Sequence, residues 1–535
     1  MRDTGIGDIG HAMNSVVEPT YQFKPEDRPL LPGGPFAPPH PPLRRLGYAV
    51  IGLLSGVAAT FSNALVNVDV ANLAGSLGLY VAEASLLPAI FVAMSASTNL
   101  LLVKARIQFG IPNTTGALLF LYIVLGLAQF AFPGFASAVA VRAASGMAAG
   151  ALIAFCIFNL LQVFPPKLRP AAIVIGVGLP QLGTPLARLV PVEMLSLHSW
   201  QSVHLIEIGV AAAVLAANYA LPLPPSERSP ALEPLDFLSV ALIVPSILLF
   251  CAVLGEGRFL WWRDTPWLGW ALVASVVLFA VAILIELHRR RPLLQIEWIS
   301  TLDVLRFGAV ALIVRFALAE QTYGSVGLLT SGGLINDQLR TLFVIVIVAM
   351  VLGIVAAVLT LSVERLPYQE IVAALLIAAG AWLDSGATNI TRPEQLYFSQ
   401  ALLGFGTTLF IGPTLASGFL RVFSRGPDVL VSLLVLFSVT QNVGGLLGSA
   451  VLGSYQVASA RAHFAALSEH LLGSDPQVAA RLSAEGAAAL AQEITREANV
   501  LAFNDVFLLV AAIAAATALG IAGVLATNAF RKAFK

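Results

Sequence analysis

The sequence predicts an all-α polytopic membrane protein with fourteen transmembrane helices. Apolar stretches long enough to cross a bilayer recur from Gly47 almost to the C-terminus. Of the 535 residues, 58% are hydrophobic and 11% charged, and the mean hydropathy is +0.85. That leaves too few polar side chains to coat a soluble globule of this size. The 30 basic and 30 acidic residues balance, so no basic field exists for nucleic acid; charge here serves topology.

At about 20 apolar residues per crossing, the spans fall at roughly 47–70, 82–103, 114–133, 136–163, 168–191, 199–221, 235–255, 267–287, 305–330, 339–362, 367–385, 397–420, 429–455 and 501–527. The bases gather in alternate loops: Arg44 and Arg45, Lys104 and Arg106, Lys167 and Arg169, Arg289 to Arg291, Arg421 and Arg425, then Arg531, Lys532 and Lys535. By the positive-inside rule those loops and both termini are cytoplasmic, in a bacterial inner membrane. The opposite loops carry scattered bases such as Arg188, Arg258, Arg263, Arg340 and Arg392, often beside an acid. Residues 1–45, with proline runs at 32–35 and 38–42 and no signal-peptide core, read as a disordered tail. Pro222, Pro224, Pro225, Pro230 and Pro234 break the chain after six spans. The stretch 456–499, rich in Ala, Leu, Gln, Glu and Arg, with Ser474-Asp475-Pro476 as a helix start, predicts a periplasmic helical hairpin.

No His pair at ligand spacing, Gly-x-Ser-x-Gly, Asp-rich metal motif or nucleotide loop occurs, so the sequence points to no enzyme, metal or cofactor. Cys156 and Cys251 read as packed thiols. Chemistry is left to ionisable groups at membrane depth, each costing about 2.5–3.5 kcal/mol at a helix centre. Arg315 is the sharpest, about 15 Å into the ninth span, followed by Glu320, Gln321 and Tyr323. Ion-paired glue between helices and a cavity lining are both open for this group. Asn63 and Asn67 share one face of the first span, and Ser62 and Asp69 another. Asp69 is either interfacial or functional. Arg142, followed by Gly146 and Gly150, suggests a structural or coupling cation beside a close-packed helix. His204 and Glu207 stand one turn apart, as a satisfied pair or a proton relay.

The order of several motifs resembles the fourteen-span drug:proton antiporter branch of the major facilitator superfamily, the EmrB/QacA type. Asn67-Val68 with Leu73-Ala74-Gly75-Ser76-Leu77-Gly78 is similar to its first-span signature, and Arg142-x-x-x-Gly146-x-x-x-Gly150 to its fourth-span arginine motif. Arg291-Pro292-Leu293-Leu294 through Leu305-Arg306-Phe307 resembles the approach to its ninth span. Gly404-Phe405-Gly406 with Pro413, then Thr440, Gly444, Gly445 and Gly448, resemble spans twelve and thirteen. The resemblance implies the major facilitator fold: two six-helix bundles plus two inserted helices, here 46–221 and 301–535 with the inserted pair in 222–300. It implies a midplane cavity lined chiefly by spans one, four, nine and twelve; the candidate cavity residues are Arg142, Arg315, Asn63, Asn67, Gln321, Tyr323, Gln400, Gln441 and Asn442. Lys104, Arg106 and Gly110 are what remains of the gating loop, without its acid.

The chain departs from that pattern at Ser62, where a membrane-embedded Asp is usual, at Gln441, where an Arg is frequent, and at the broken fifth-span motif Gly178-Leu179-Pro180 and Gly183-Thr184-Pro185. Glu320 therefore becomes the expected proton-coupling residue, with Asp69 or Glu207 as substitutes. The function expected is a proton-coupled exporter of small amphipathic or weakly acidic compounds, its hairpin docking a periplasmic membrane-fusion adaptor and an outer-membrane channel. An organic-anion importer or uniporter, and a transporter-like scaffold or sensor, are the alternatives.

Overall fold

A computed structural model describes Asp27, Pro29 and residues 33–195, 200–471 and 474–533. Within them the regular secondary structure is all helical, with a single isolated bridge between Pro35 and Ser226. The spans are α1 (Pro42–Leu77), α2 (Val81–Phe109), α3 (Ile111–Ala131), α4 (Phe135–Leu161), α5 (Pro166–Ala187), α6 (Trp200–Ala220), α7 (Pro234–Glu256) and α8 (Pro266–His288). After α9, whose pieces run from Leu302 to Ser331, follow α10 (Arg340–Leu359), α11 (Leu366–Asp384), α12 (Tyr397–Arg425), α13 (Leu430–Glu469) and α14 (Pro476–Ala533).

Among the described residues, 13 helices are long and apolar enough to cross a membrane unaided. The expected fourteenth, α9, is assembled from pieces: Leu302–Ala317, a π-helical turn at Glu320–Gly324, and Ser325–Ser331. π-Turns widen a helix by one residue and frequently sit at functional sites. This one falls on the residues that the sequence singles out.

Helices α1–α6 form one bundle and α9–α14 the other. Gly146 and Gly150 let α4 close on α2: a Cβ at Gly146 would stand 2.5 Å from the Phe91 carbonyl oxygen. The bundles meet where α5 packs on α10 and α12, and α2 on α13. In the half nearer the basic loops the two share one apolar core, with Phe155, Ile173 and Val177 of the first bundle and Met350, Ile411, Phe419 and Phe437 of the second. That half is closed by packing. The inserted helix α7 lies against both α2 and α13, with α8 on its outer side.

Two boundaries differ from expectation. Of the tail expected to be disordered, 1–26 lies outside the described residues, but 33–41 is bound to the bundle and α1 starts at Pro42. Phe36 N–H donates to Pro225 O (3.1 Å), His40 Nε2 to Gln162 Oε1 (2.9 Å), and Arg169 Nη2 to Ala37 O (2.8 Å). Proline at N1 with extended residues before it starts α1 there. The hairpin expected at 456–499 is no separate unit: α13 continues for 40 residues, about 60 Å at 1.5 Å per residue. That is twice the hydrocarbon thickness of about 30 Å. α14 returns through a break at Gly486, whose φ is 81°.

Candidate functional site

A cavity of about 400 Å³ lies between the bundles, lined by α1, α2, α5, α7, α9, α10, α12 and α13. Its lining residues fall in the middle of those helices or in the half remote from the basic loops, so the cavity faces the side opposite to those loops. Of the expected cavity residues, Asn63, Asn67, Arg315, Gln321, Tyr323 and Asn442 line it. Arg142, Gln400 and the side chain of Gln441 do not.

Among the described residues, three arginines line the cavity and no acid does. Arg315 donates through Nε to the Gln441 carbonyl (3.0 Å) and through Nη1 to Gln181 Oε1 (3.3 Å). Gly445 makes room for it, since a Cβ there would sit 3.1 Å from Arg315 Nε. Arg188 reaches Asn336 Oδ1 at 3.5 Å and lies 5.9 Å from the Phe343 ring centroid. Arg258 lies over the rings of Phe259 (4.4 Å) and Tyr323 (5.0 Å). Among the described residues none of the three forms an ion pair. Cations held in a partly dry site by amides and rings alone are competent to take an anion. Sequence reading placed Arg188 and Arg258 in loops, because they stand at span ends; only the broken α5 and the inward fold of the α7–α8 loop bring them in.

Behind the cavity wall the π-turn presents a second constellation. Glu320 (0% exposed) points away from the cavity towards Asp384 (1% exposed), the last residue of α11. One amide bridges them: Gln400 Nε2 donates to Glu320 Oε1 at 3.2 Å and to Asp384 Oδ2 at 2.7 Å. Those two oxygens are therefore no more than about 6 Å apart, a distance at which like charges in a dry site repel strongly. Among the described residues, Glu320 Oε2 and Asp384 Oδ1 find no hydrogen-bond donor and neither residue forms an ion pair. Gln321, the next residue of the turn, lines the cavity and donates to the Gln400 carbonyl at 3.5 Å. The turn thus joins the cavity to the carboxyl pair. Asp384 was passed over in the sequence because it marks a span end.

The first bundle treats its ionisable groups differently. Arg142 grips Glu207 with both nitrogens (2.6 and 3.1 Å), while His204 Nδ1 lies 3.0 Å from Glu207 Oε2. Ser62, standing where an Asp is usual in the resembling branch, bonds Glu207 (3.1 Å) and Tyr122 (3.0 Å) and accepts from Arg142 (3.2 Å). Arg142 and Glu207 thus sit in a closed, charge-balanced network. Asp69 is buried, accepts from Asn72 at 2.9 Å, and does not line the cavity.

At the loop expected to gate, Lys104 bonds Asp236 at the start of α7 (2.7 and 2.9 Å), and Arg289 binds the same carboxylate at 2.8 Å. Burial opposes the charge of Arg289, but the hydrogen bonds it donates to Asp236 and Glu286 outweigh it and raise its pKa. Arg106 lies over the Phe158 ring (5.0 Å), and Gly110 turns the chain at φ 85°.

No sequence-family model and no curated protein matches this chain. Solved structures do. Its fold superposes on the human organic anion transporter MFSD10 (TETRAN) with a TM-score of 0.52, covering 89% of this chain and 100% of that one at 16% identity. The chain has the major facilitator fold. A bacterial homologue of the human drug peptide transporters PepT1 and PepT2 gives a TM-score of 0.54 over 90% of this chain and 98% of its own, at 12% identity. The proton:xylose symporter XylE of the major facilitator superfamily gives 0.53 over 88% and 94%, also at 12%. At these identities the likeness concerns the fold, and within that fold the protein is a multi-pass membrane protein with its cavity between the two bundles.

Proposed function

We propose that the protein is a secondary transporter of small organic anions and weak acids. The observation that carries this reading is the set of three arginines, Arg188, Arg258 and Arg315, around a cavity that no carboxylate among the described residues lines. A neutral sugar needs no such field, and a cation would be repelled by it. That one protein of the same fold is an organic anion transporter agrees with the reading.

Coupling to protons is assigned to Glu320 together with Asp384. Two carboxyls sharing one amide, with no cation beside them, are balanced by a proton. Because Gln321 contacts both Gln400 and the cavity, occupancy of one site biases the other, and by linkage the bias is reciprocal. Exchange of that proton for a bound anion across an inner membrane gives an exporter of weakly acidic compounds, as the antiporter resemblance implies; co-transport gives the importer. The extended α13–α14 hairpin is the surface an adaptor would use in the export reading.

The test is binding and flux of benzoate in liposomes holding the full chain. Binding lost in Arg315→Gln, with proton movement lost in Glu320→Gln and Asp384→Asn, supports the reading. Benzoate binding that ignores Arg315 would remove it, and flux following a sodium gradient would reassign the carboxyl pair. The sign of proton movement separates export by exchange from co-transport.

A further inference from the structure

The third arginine of the cavity comes from a part of the chain that neither bundle contains. Arg258 stands on the loop joining α7 to α8, and this loop folds inward, so that Arg258 and Phe259 line the cavity. Contacts to α13 hold it there: Trp262 Nε1 donates to Ser454 Oγ at 2.8 Å, and the Arg461 guanidinium lies 4.6 Å from the Trp261 ring centroid. Trp261 itself has φ 57°, a left-handed conformation costly for a bulky residue and retained only where surrounding contacts impose it.

Gly453 is the notch through which Arg258 reaches the cavity. A Cβ at that position would stand 2.7 Å from Arg258 Cδ and 3.1 Å from Tyr323 Cζ. Gly445 does the same for Arg315, with a Cβ 3.1 Å from its Nε. The two glycines are eight residues apart on α13, about 12 Å along the helix axis. The cavity therefore holds cations at two levels, Arg315 near the midplane and Arg258 towards the mouth. One cation suffices for a monoanion; a second at another level matches a second negative charge, and Tyr323 and Phe259 also line the cavity.

We propose that the inserted helices supply the outer half of a two-cation site, in which Arg315 takes one carboxylate of a dianion and Arg258 the other. This rests on the anion reading of the cavity and adds the charge class of its ligand. A carboxylate arriving at Arg258 adds charge-assisted hydrogen bonds to the ring contacts that now hold the guanidinium. The inserted pair then sets selectivity as well as spanning the membrane.

The experiment compares terephthalate with benzoate, the same ring with two carboxylates or one, binding to the full chain in liposomes. The wild type should prefer terephthalate. Arg258→Gln should weaken terephthalate roughly tenfold more than it weakens benzoate. Gly453→Ala keeps the charge but displaces the side chain, and should move the preference the same way; Arg258→Lys should keep part of it. A general loss of folding would weaken both ligands alike. With the unfolding midpoint of Arg258→Gln unchanged, equal weakening of both ligands or no change in either overturns the proposal, as does a wild type that prefers benzoate. Sensitivity to Arg315→Gln with indifference to Arg258→Gln removes this proposal and leaves the anion reading standing. Binding of neither ligand by the wild type removes both.

Discussion

The two bundles bury carboxylates at comparable depth and solve the problem in opposite ways. In the first, Glu207 is neutralised by Arg142 in a two-nitrogen ion pair and enclosed by Ser62, Tyr122 and His204. In the second, Glu320 and Asp384 share the amide of Gln400 and form no ion pair among the described residues, while the nearby cation Arg315 faces the cavity. A balanced network is fixed, because breaking it strands a charge in low dielectric. A carboxyl pair without a cation, beside a cation without a carboxyl, can exchange its compensating partners. The first arrangement holds a bundle together; the second is suited to moving solutes.

Removing one partner from each bundle tests that contrast most sharply. Arg142→Met strands Glu207 and should cost about 3–5 kcal/mol, read as a lowered unfolding midpoint in detergent, with Arg142→Met/Glu207→Met recovering most of it. A single-variant loss below about 1 kcal/mol would break the comparison. Arg315→Gln should weaken benzoate about 10- to 100-fold, the worth of a charged hydrogen bond, without lowering the unfolding midpoint, since no carboxylate is stranded. Glu320→Gln should shift stability by no more than about 1 kcal/mol while abolishing proton movement. A loss as large as that of Arg142→Met would make the pair structural.

The smallest effect belongs to the segment before α1. Burial, with Arg44 and Arg45 adding to it, lowers the His40 pKa below 6.5, against the Gln162 hydrogen bond. The unfolded chain binds the proton more readily, so this contribution is complete above the unfolded value of about 6.5 and is lost as pH falls below it. His40→Gln should flatten that acid-side decline in the unfolding midpoint; an unchanged slope would place the decline elsewhere.

Much of the fold was legible because hydrophobic length is a local property. The proline run at 222–234 marked the bundle boundary, and the position of Arg315 ten residues into its span marked the cavity. Less of the site was legible. Arg188, Arg258 and Asp384 stand at span ends, where a charge is ordinary, and nothing local separates them from Arg263 or Arg392. At the loop expected to gate, the partner of Lys104 is Asp236, 132 residues away.

The sequence by itself determined that the chain crosses the bilayer repeatedly, where it does so, and which spans carry groups too polar to face lipid. Water is absent there, so every stretch must satisfy its own backbone and bury its own polarity. Only the tertiary structure decided which of the described charges are paired and which are not. Pairing depends on helix rotation and on neighbours brought in from far along the chain, as Arg142 is to Glu207 across 65 residues and Gln400 to Glu320 across 80.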